Sequence, residues 1–191
     1  TAGVTMVDPD TVYFSEDTKI GKDVVIHPFV IIGKNVKIGN RTEIFSFTHI
    51  EDCKIGNEVN IGPYARIRPG TIIRSNVGVG NFVEIKNTIV GKKSKLNHLS
   101  YVGDSKLGQN VNIGAGTITC NYDGSKKNKT NIEDNAFIGS NSSLVAPVTI
   151  GKKAYIGSGS TITKNVTANS LAVERALQKE IKNWVSKKRK K

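Results

Sequence analysis

His98, one of three histidines in 191 residues, is the side chain best suited to moving a proton near neutral pH. A side chain with a reference pKa near 6.5 can act there as base or acid. Two cations, Arg68 and Lys86, stand 18 residues apart. In a fold that stacks turns of that length they would lie one above the other. Directly stacked cations either splay into water or hold an anion such as a phosphate between them, and taken alone the pair fits both. Cys53 and Cys120 are the only thiols. Two cysteines make neither a disulfide framework nor a zinc site, and they read as reduced thiols of a cytoplasmic protein.

The element that positions these residues is an internal repeat. Aliphatic residues recur every six positions, often followed by glycine, as at Ile20-Gly, Ile38-Gly, Ile61-Gly, Val79-Gly, Ile113-Gly, Ile138-Gly and Ile156-Gly. The fourth residue after each aliphatic is usually small or β-branched, as at Val24, Thr42, Val59, Ala65, Val83, Thr117 and Ala154. Two inward residues per six define a short flat side and a corner. Steps of five at Ile50 to Ile55, Ile85 to Val90 and Val102 to Leu107, and the long step from Thr119 to Ile132, all fall on every third side. The repeat is therefore a three-sided parallel β-helix from about Ile20 to Val166. Its coils begin at Ile20, Ile38, Ile55, Ile73, Val90, Leu107, Ile132 and Ile150, and its faces are A, B and C in that order. Every lead position except Thr119 is Ile, Val or Leu. At about 1.5–3 kcal/mol each, their burial is the main term opposing backbone entropy.

Around this solenoid, residues 1–19 read as an irregular lead-in, 120–131 as a loop thrown out of the third side, and 168–191 as a C-terminal helix (Leu171 to Val185) with a basic tail. The fold class expected is all-β with that short helix appended. No apolar run reaches the ~20 residues of a membrane helix, and the start lacks a signal-peptide pattern. The chain opens on Thr1, which suits a fragment of something longer. Asn40-Arg-Thr and Asn165-Val-Thr match a glycosylation acceptor by chance on this reading. The net charge of +12 sits largely in Lys187–Lys191 and in Lys126, Lys127 and Lys129. These read as a solvated tail and a lysine-rich loop, with nucleic-acid binding through the tail as the rival.

Residues at one offset in successive coils stack about 4.8 Å apart. On face C the residue after the lead runs Glu51, Arg68, Lys86, Gly103. On face B the second residue after the lead runs Pro28, Ser46, Pro63, Asn81, His98, Ala115, Ser140, Ser158, and the one before it ends Gly114, Gly139, Gly157. A strip of Gly, Ala and Ser thus leads away from one histidine for about 14 Å, long enough for an extended chain-like ligand. Glycine and serine in such a strip also serve close packing.

Arg68-Pro-Gly, Gly80-Asn-Phe-Val-Glu-Ile-Lys86, His98-Leu-Ser-Tyr101-Val-Gly-Asp104, the run Asn110 to Gly124 and Leu144-Val-Ala-Pro-Val-Thr149 form one ordered series. It resembles the acetyltransferase domain of bacterial bifunctional N-acetylglucosamine-1-phosphate uridyltransferase/glucosamine-1-phosphate acetyltransferases over nearly the whole chain. The resemblance implies a left-handed β-helix, a hand the hexads do not reveal, and a cytoplasmic homotrimer. It implies acetyl transfer from acetyl-CoA to glucosamine-1-phosphate, with no nucleic acid or membrane as partner. By motif, His98 is the general base, and Arg68, Lys86, Tyr101 and Asn112 hold the sugar phosphate. Ala115, Asn121, Tyr122, Ser140, Ser158 and Arg175 line the acetyl-CoA site. Glu84 orients the histidine, and Lys127 reaches a neighbouring subunit's site. No metal is expected in this domain; magnesium belongs with the uridyltransferase domain, which has no counterpart in this sequence. The parent's product would feed peptidoglycan and lipopolysaccharide synthesis. Cys120 is a candidate acyl carrier, but it follows the face C lead and is off the His98 column, so direct transfer is preferred. The nearest alternative is another hexapeptide acyltransferase with an anionic acceptor.

Overall fold

Two inward residues per six leave only two or three residues of strand before each turn, and that is what the computed structural model of residues 3–185 contains. The strands form three parallel sheets, of ten strands on face B, nine on face C and eight on face A. Leads pair with leads throughout, as Ile61 with Val79, Ile67 with Ile85 and Ile73 with Val90. The architecture is the left-handed parallel β-helix.

The core is one column of lead aliphatics, from Ile26 and Ile32 to Ile156 and Ile162, with Val24, Val36, Val59, Val83 and Ala154 at the corners. Inward hydroxyls are satisfied by the stacking itself. Thr42 and Ser94 donate to the carbonyls of Gly56 and Gly108 in the next coil, each at 3.0 Å. Thr119, the one polar lead, is buried because its hydroxyl accepts from the Gly103 amide at 2.8 Å. A buried hydroxyl so paired escapes the desolvation penalty.

Corners turn through residues of positive φ, and most are not glycine: Phe47 at 62°, Glu58 at 57°, Tyr64 at 56°, Lys93 at 61°. Such conformations persist only where the surroundings over-determine them. Here the corner amides bond to the coil below, Phe82 to the Tyr64 carbonyl at 3.1 Å and Leu99 to that of Asn81 at 3.0 Å. The five-residue steps lie at the C–A corner as expected, with Asp52, Asn87 and Asp104 in the same region of φ.

Both ends depart from the sequence reading. The lead-in is a further partial coil: Thr5–Met6 pairs with Val25–Ile26 on face B, and Tyr13–Phe14 with Ile31–Ile32 on face C. Val4, Met6 and Val12 cover the open end of the core. Among the described residues most of the expected C-terminal helix is absent. Leu171–Ala172 adds a strand to face B over Tyr155–Ile156, residues 173–181 have no regular structure, and only Trp184 and Val185 are helical. An isolated helix of this length is marginal without a packing face. Leu177 is 97% exposed and packs on no face among the described residues. The basic run Lys187–Lys191 lies outside the described residues. No helix among those described is long and apolar enough to cross a membrane.

Candidate active site

His98 ends the strand Lys95–His98, which lies on Gly78–Asn81. These are the only four-residue strands among the described residues; all others have two or three. The extension puts His98 in direct register with Asn81, and the ring Nδ1 lies 3.1 Å from the Asn81 Oδ1. Gly80 permits the close approach, since a β-carbon there would run into the Asn97 carbonyl. Glycine is needed for the missing atom and not for its φ. A shallow groove opens beneath the ring on face B, lined by Asn60, Gly62, Gly78, Gly80 and Asn97.

One corner away, on face C, Arg68 and Lys86 occupy adjacent coils, the Arg68 amide bonding to the Ile85 carbonyl at 2.8 Å. Glu84, expected to orient the histidine, instead accepts from Arg68 Nη1 at 2.7 Å. Its strand belongs to face C, and the ring's observed partner is Asn81. Lys86 pairs with Gly103, and Glu84 with Tyr101, in the coil above. A β-carbon on Gly103 would meet the Tyr101 hydroxyl, so the phenol fills the place of the missing side chain, over Lys86. Arg68, Lys86 and Tyr101, the residues expected to hold the acceptor, are thereby brought onto one surface.

Asn121 donates to the Tyr101 hydroxyl at 3.3 Å and to Asp104 Oδ2 at 2.5 Å, and Asp104 Oδ1 accepts from Asn87 at 2.6 Å. Asn121 and Asp104 are both buried. Asp104, which the sequence reading left without a role, is thus the anchor that sets Asn121 against Tyr101. The only signal for it was its place at a five-residue step.

Of the residues expected to line an acetyl-CoA site, Ala115, Ser140 and Ser158 rise in register on face B, following the paired leads Ile113, Ile138 and Ile156. Ser140 and Ser158 are exposed. Gly114 and Gly139 are also demanded by stacking, because β-carbons there would strike the amides of Ser140 and Ser158. Arg175 folds back to the top of this strip, donating from Nη1 to the Ser158 carbonyl at 2.8 Å. Asn121 and Tyr122 do not join it. Tyr122 sits in the loop, its hydroxyl on the Gly124 carbonyl at 2.7 Å and Lys127 Nζ 4.7 Å from its ring centroid. Asn112 lies on face B between Lys95 and Phe137, apart from Arg68 and Lys86. Burial pushes the Cys53 thiol up to about 12, with Asp52 and then Glu51 adding to it, so Cys53 has no thiolate for chemistry. Cys120 follows the face C lead. Among the described residues no group of His, Cys, Asp and Glu could hold a metal ion.

The site is thus a histidine at the foot of a smooth strip, with cations across one corner of a hexapeptide solenoid. The profile of the bacterial transferase hexapeptide family (six repeats) matches residues 16–51, 52–87 and 129–164. The chain belongs to that family. It is 52% identical over 185 residues to the bifunctional protein GlmU of Paramagnetospirillum magneticum, covering 97% of this chain and 41% of that one. It is 57% identical to GlmU of Bradyrhizobium sp., covering 93% and 40%. The chain thus spans less than half the length of these relatives. In fold it is similar to LpxA, a UDP-N-acetylglucosamine acyltransferase, from Bacteroides fragilis 9343 (TM-score 0.73, 23% identity, 86% of this chain and 70% of that one). LpxA from Acinetobacter baumannii is also similar, with a TM-score of 0.66 and 20% identity over the same shares.

Proposed function

We propose that this chain transfers the acetyl group of acetyl-CoA to the amine of glucosamine-1-phosphate, giving N-acetylglucosamine-1-phosphate. The observation that carries the reading is the placement of His98 between two surfaces: the Ala115–Ser140–Ser158 strip on its own face and the Arg68–Lys86–Tyr101 cluster beyond the next corner. The strip suits the pantetheine arm, whose amides need close approach to backbone, and Arg175 stands at its far end. The cluster suits the acceptor's phosphate. A protonated amine cannot attack a thioester, so the acceptor reacts as the free amine: His98 Nε2 takes a proton from the nitrogen as it bonds to the acyl carbon and returns it to the departing sulfur, and coenzyme A leaves as the thiol. No covalent acyl-enzyme is required.

The reading includes a homotrimer. Phe29, Phe47, Tyr64 and Phe82 form an exposed ladder at the B–C corner, with ring centroids 5.0, 4.8 and 5.3 Å apart, and exposed Leu99 continues it. A stripe of this kind favours burial against a protein surface. Asn112 and Lys127, separate from the acceptor cluster within one chain, would reach it in a neighbouring copy, and Tyr122 would reach a neighbour's coenzyme strip. A cytoplasmic setting belongs to the same reading. Uridylyl transfer and its magnesium belong to the part of such bifunctional relatives that this chain does not span.

The deciding assay is acetyl-CoA consumption with glucosamine-1-phosphate, glucosamine and a panel of other sugar phosphates. Turnover with glucosamine-1-phosphate far above glucosamine is expected. Preference for a different phosphorylated acceptor would leave a hexapeptide acyltransferase but overturn this substrate.

A further inference from the structure

We infer that Asn81 is a positioning residue that holds the His98 imidazole as its Nδ1–H tautomer, leaving Nε2 free to accept the substrate's proton. The inference rests on the reading of His98 as the base. Which ring nitrogen carries the proton is set by the partner of the other. Free imidazole side chains in water favour the Nε2–H form, in which Nε2 cannot take a proton. A histidine base acting through Nε2 therefore needs an acceptor at Nδ1.

Asn81 supplies one, its Oδ1 lying 3.1 Å from Nδ1. Three local features make this a built contact. Both strands continue two residues beyond the usual length, pairing Asn81 with His98. Gly80 lets the coils close at the Asn97 carbonyl. The Leu99 amide bonds to the Asn81 carbonyl at 3.0 Å, fixing the backbone beyond the ring to the residue beneath it. No charged group competes, since neither Gly78–Asn81 below nor Asn112 to Ala115 above contains a titratable side chain. Glu84, the remaining carboxylate of the neighbourhood, is taken by Arg68.

A neutral acceptor also does something a carboxylate would not. It selects the tautomer without placing an anion beside the ring.

The test combines a readout independent of activity with kinetics. In the wild-type protein, ¹⁵N–¹H correlation of the labelled His98 ring should show Nδ1–H, and Asn81→Ala should move it toward Nε2–H. An Nε2–H ring in the wild type, or an unchanged tautomer in Asn81→Ala, overturns the inference. In the acetyl-transfer assay, Asn81→Ala should lower kcat about 10–100-fold with little change in either KM. Asn81→Asp should recover much of that rate and move the acid limb of the kcat/KM profile to higher pH, because an anion beside the ring favours its protonated form. If Asn81→Ala folds poorly, the wild-type tautomer and the Asp variant's profile still decide. Failure of the wild type to acetylate glucosamine-1-phosphate would sink the substrate reading and leave the tautomer result standing.

Discussion

Arg68 and Glu84 are joined across adjacent coils by an ion pair of 2.7 Å, both side chains about one-third exposed. The cation assigned to the acceptor's phosphate therefore arrives with an anion attached, which fixes the guanidinium and offsets part of its charge. Lys86 has no such partner among the described residues. Removing Arg68 alone leaves Glu84 unpaired beside the phosphate position, so Arg68→Ala should raise the acceptor KM more than Lys86→Ala does. Loss of a charge-assisted contact corresponds to roughly 10–100-fold. The double variant Arg68→Ala/Glu84→Gln should recover part of that loss, and acetyl-CoA KM should hardly change in any of them. Equal KM effects on both substrates, or strictly additive variants, would contradict the arrangement.

His98→Ala should lower kcat by roughly 10²–10⁴ while leaving the melting temperature close to wild type. The ring is exposed and outside the core column, so its removal opens no cavity. Near-normal turnover would remove His98 from the mechanism.

Ser140→Trp tests the strip. Ser140 is exposed and its Cβ points away from the aliphatic core, so an indole should leave the solenoid packed. Acetyl-CoA affinity by calorimetry should fall severely, with glucosamine-1-phosphate binding retained. Normal acetyl-CoA affinity would place the coenzyme on another face.

The solenoid was legible because two inward positions in every six repeat through eight coils, and the irregular steps marked one corner. Its ends were not. The leads Met6 and Phe14 stand eight residues apart and neither is followed by glycine, so the first partial coil looked irregular. Leu171 to Val185 shows a plausible helical pattern, but a pattern does not supply the face a helix must pack on. At the site, column order anticipated the stacking of Arg68 under Lys86 and the register of the strip above His98. It did not anticipate the Arg68–Glu84 ion pair, because sequence spacing does not show which neighbour a carboxylate will choose. Asp104 stayed hidden because its contacts with Asn87 and Asn121 depend on a corner bending back and a loop returning.

The 120–131 loop should keep its structure to unusually low pH. The amides of Lys126 and Ser125, then the Asn128 side chain, hold the Asp123 carboxyl down at about 2, against an ordinary value of 3.8. A folded-state pKa below the unfolded one means the stabilisation is fully present above about 3.8 and is lost as pH falls through about 2. The Ser125 and Lys126 amide shifts should therefore titrate with a midpoint near 2, and a midpoint near 4 would refute the contact. At neutral pH, Asp123→Ala should open the loop to tryptic cleavage at Lys126 and Lys127 while the coils stay intact.

The last prediction concerns the B–C corner. If the ladder of Phe29, Phe47, Tyr64 and Phe82 is a contact between copies, charging it should dissociate them without unfolding the chain. Lysine is compatible with the backbone there. Phe47 and Tyr64 have φ of 62° and 56°, and equivalent corners elsewhere already carry Lys93 at 61° and Lys153 at 58°. Both rings are about half exposed in the single chain, so the core does not depend on them. Each stacked pair contributes about 0.5–1.5 kcal/mol beyond area burial, a loss the column of buried aliphatics can absorb. Phe47→Lys/Tyr64→Lys should therefore sediment as a folded monomer, with its β-sheet circular dichroism retained and acetyl transfer largely lost. Activity should return on mixing with an excess of His98→Ala chains only if intact corners of one copy can complete the site of another. A monomer that retains full turnover would show that one chain suffices and that the aromatic ladder serves some other contact.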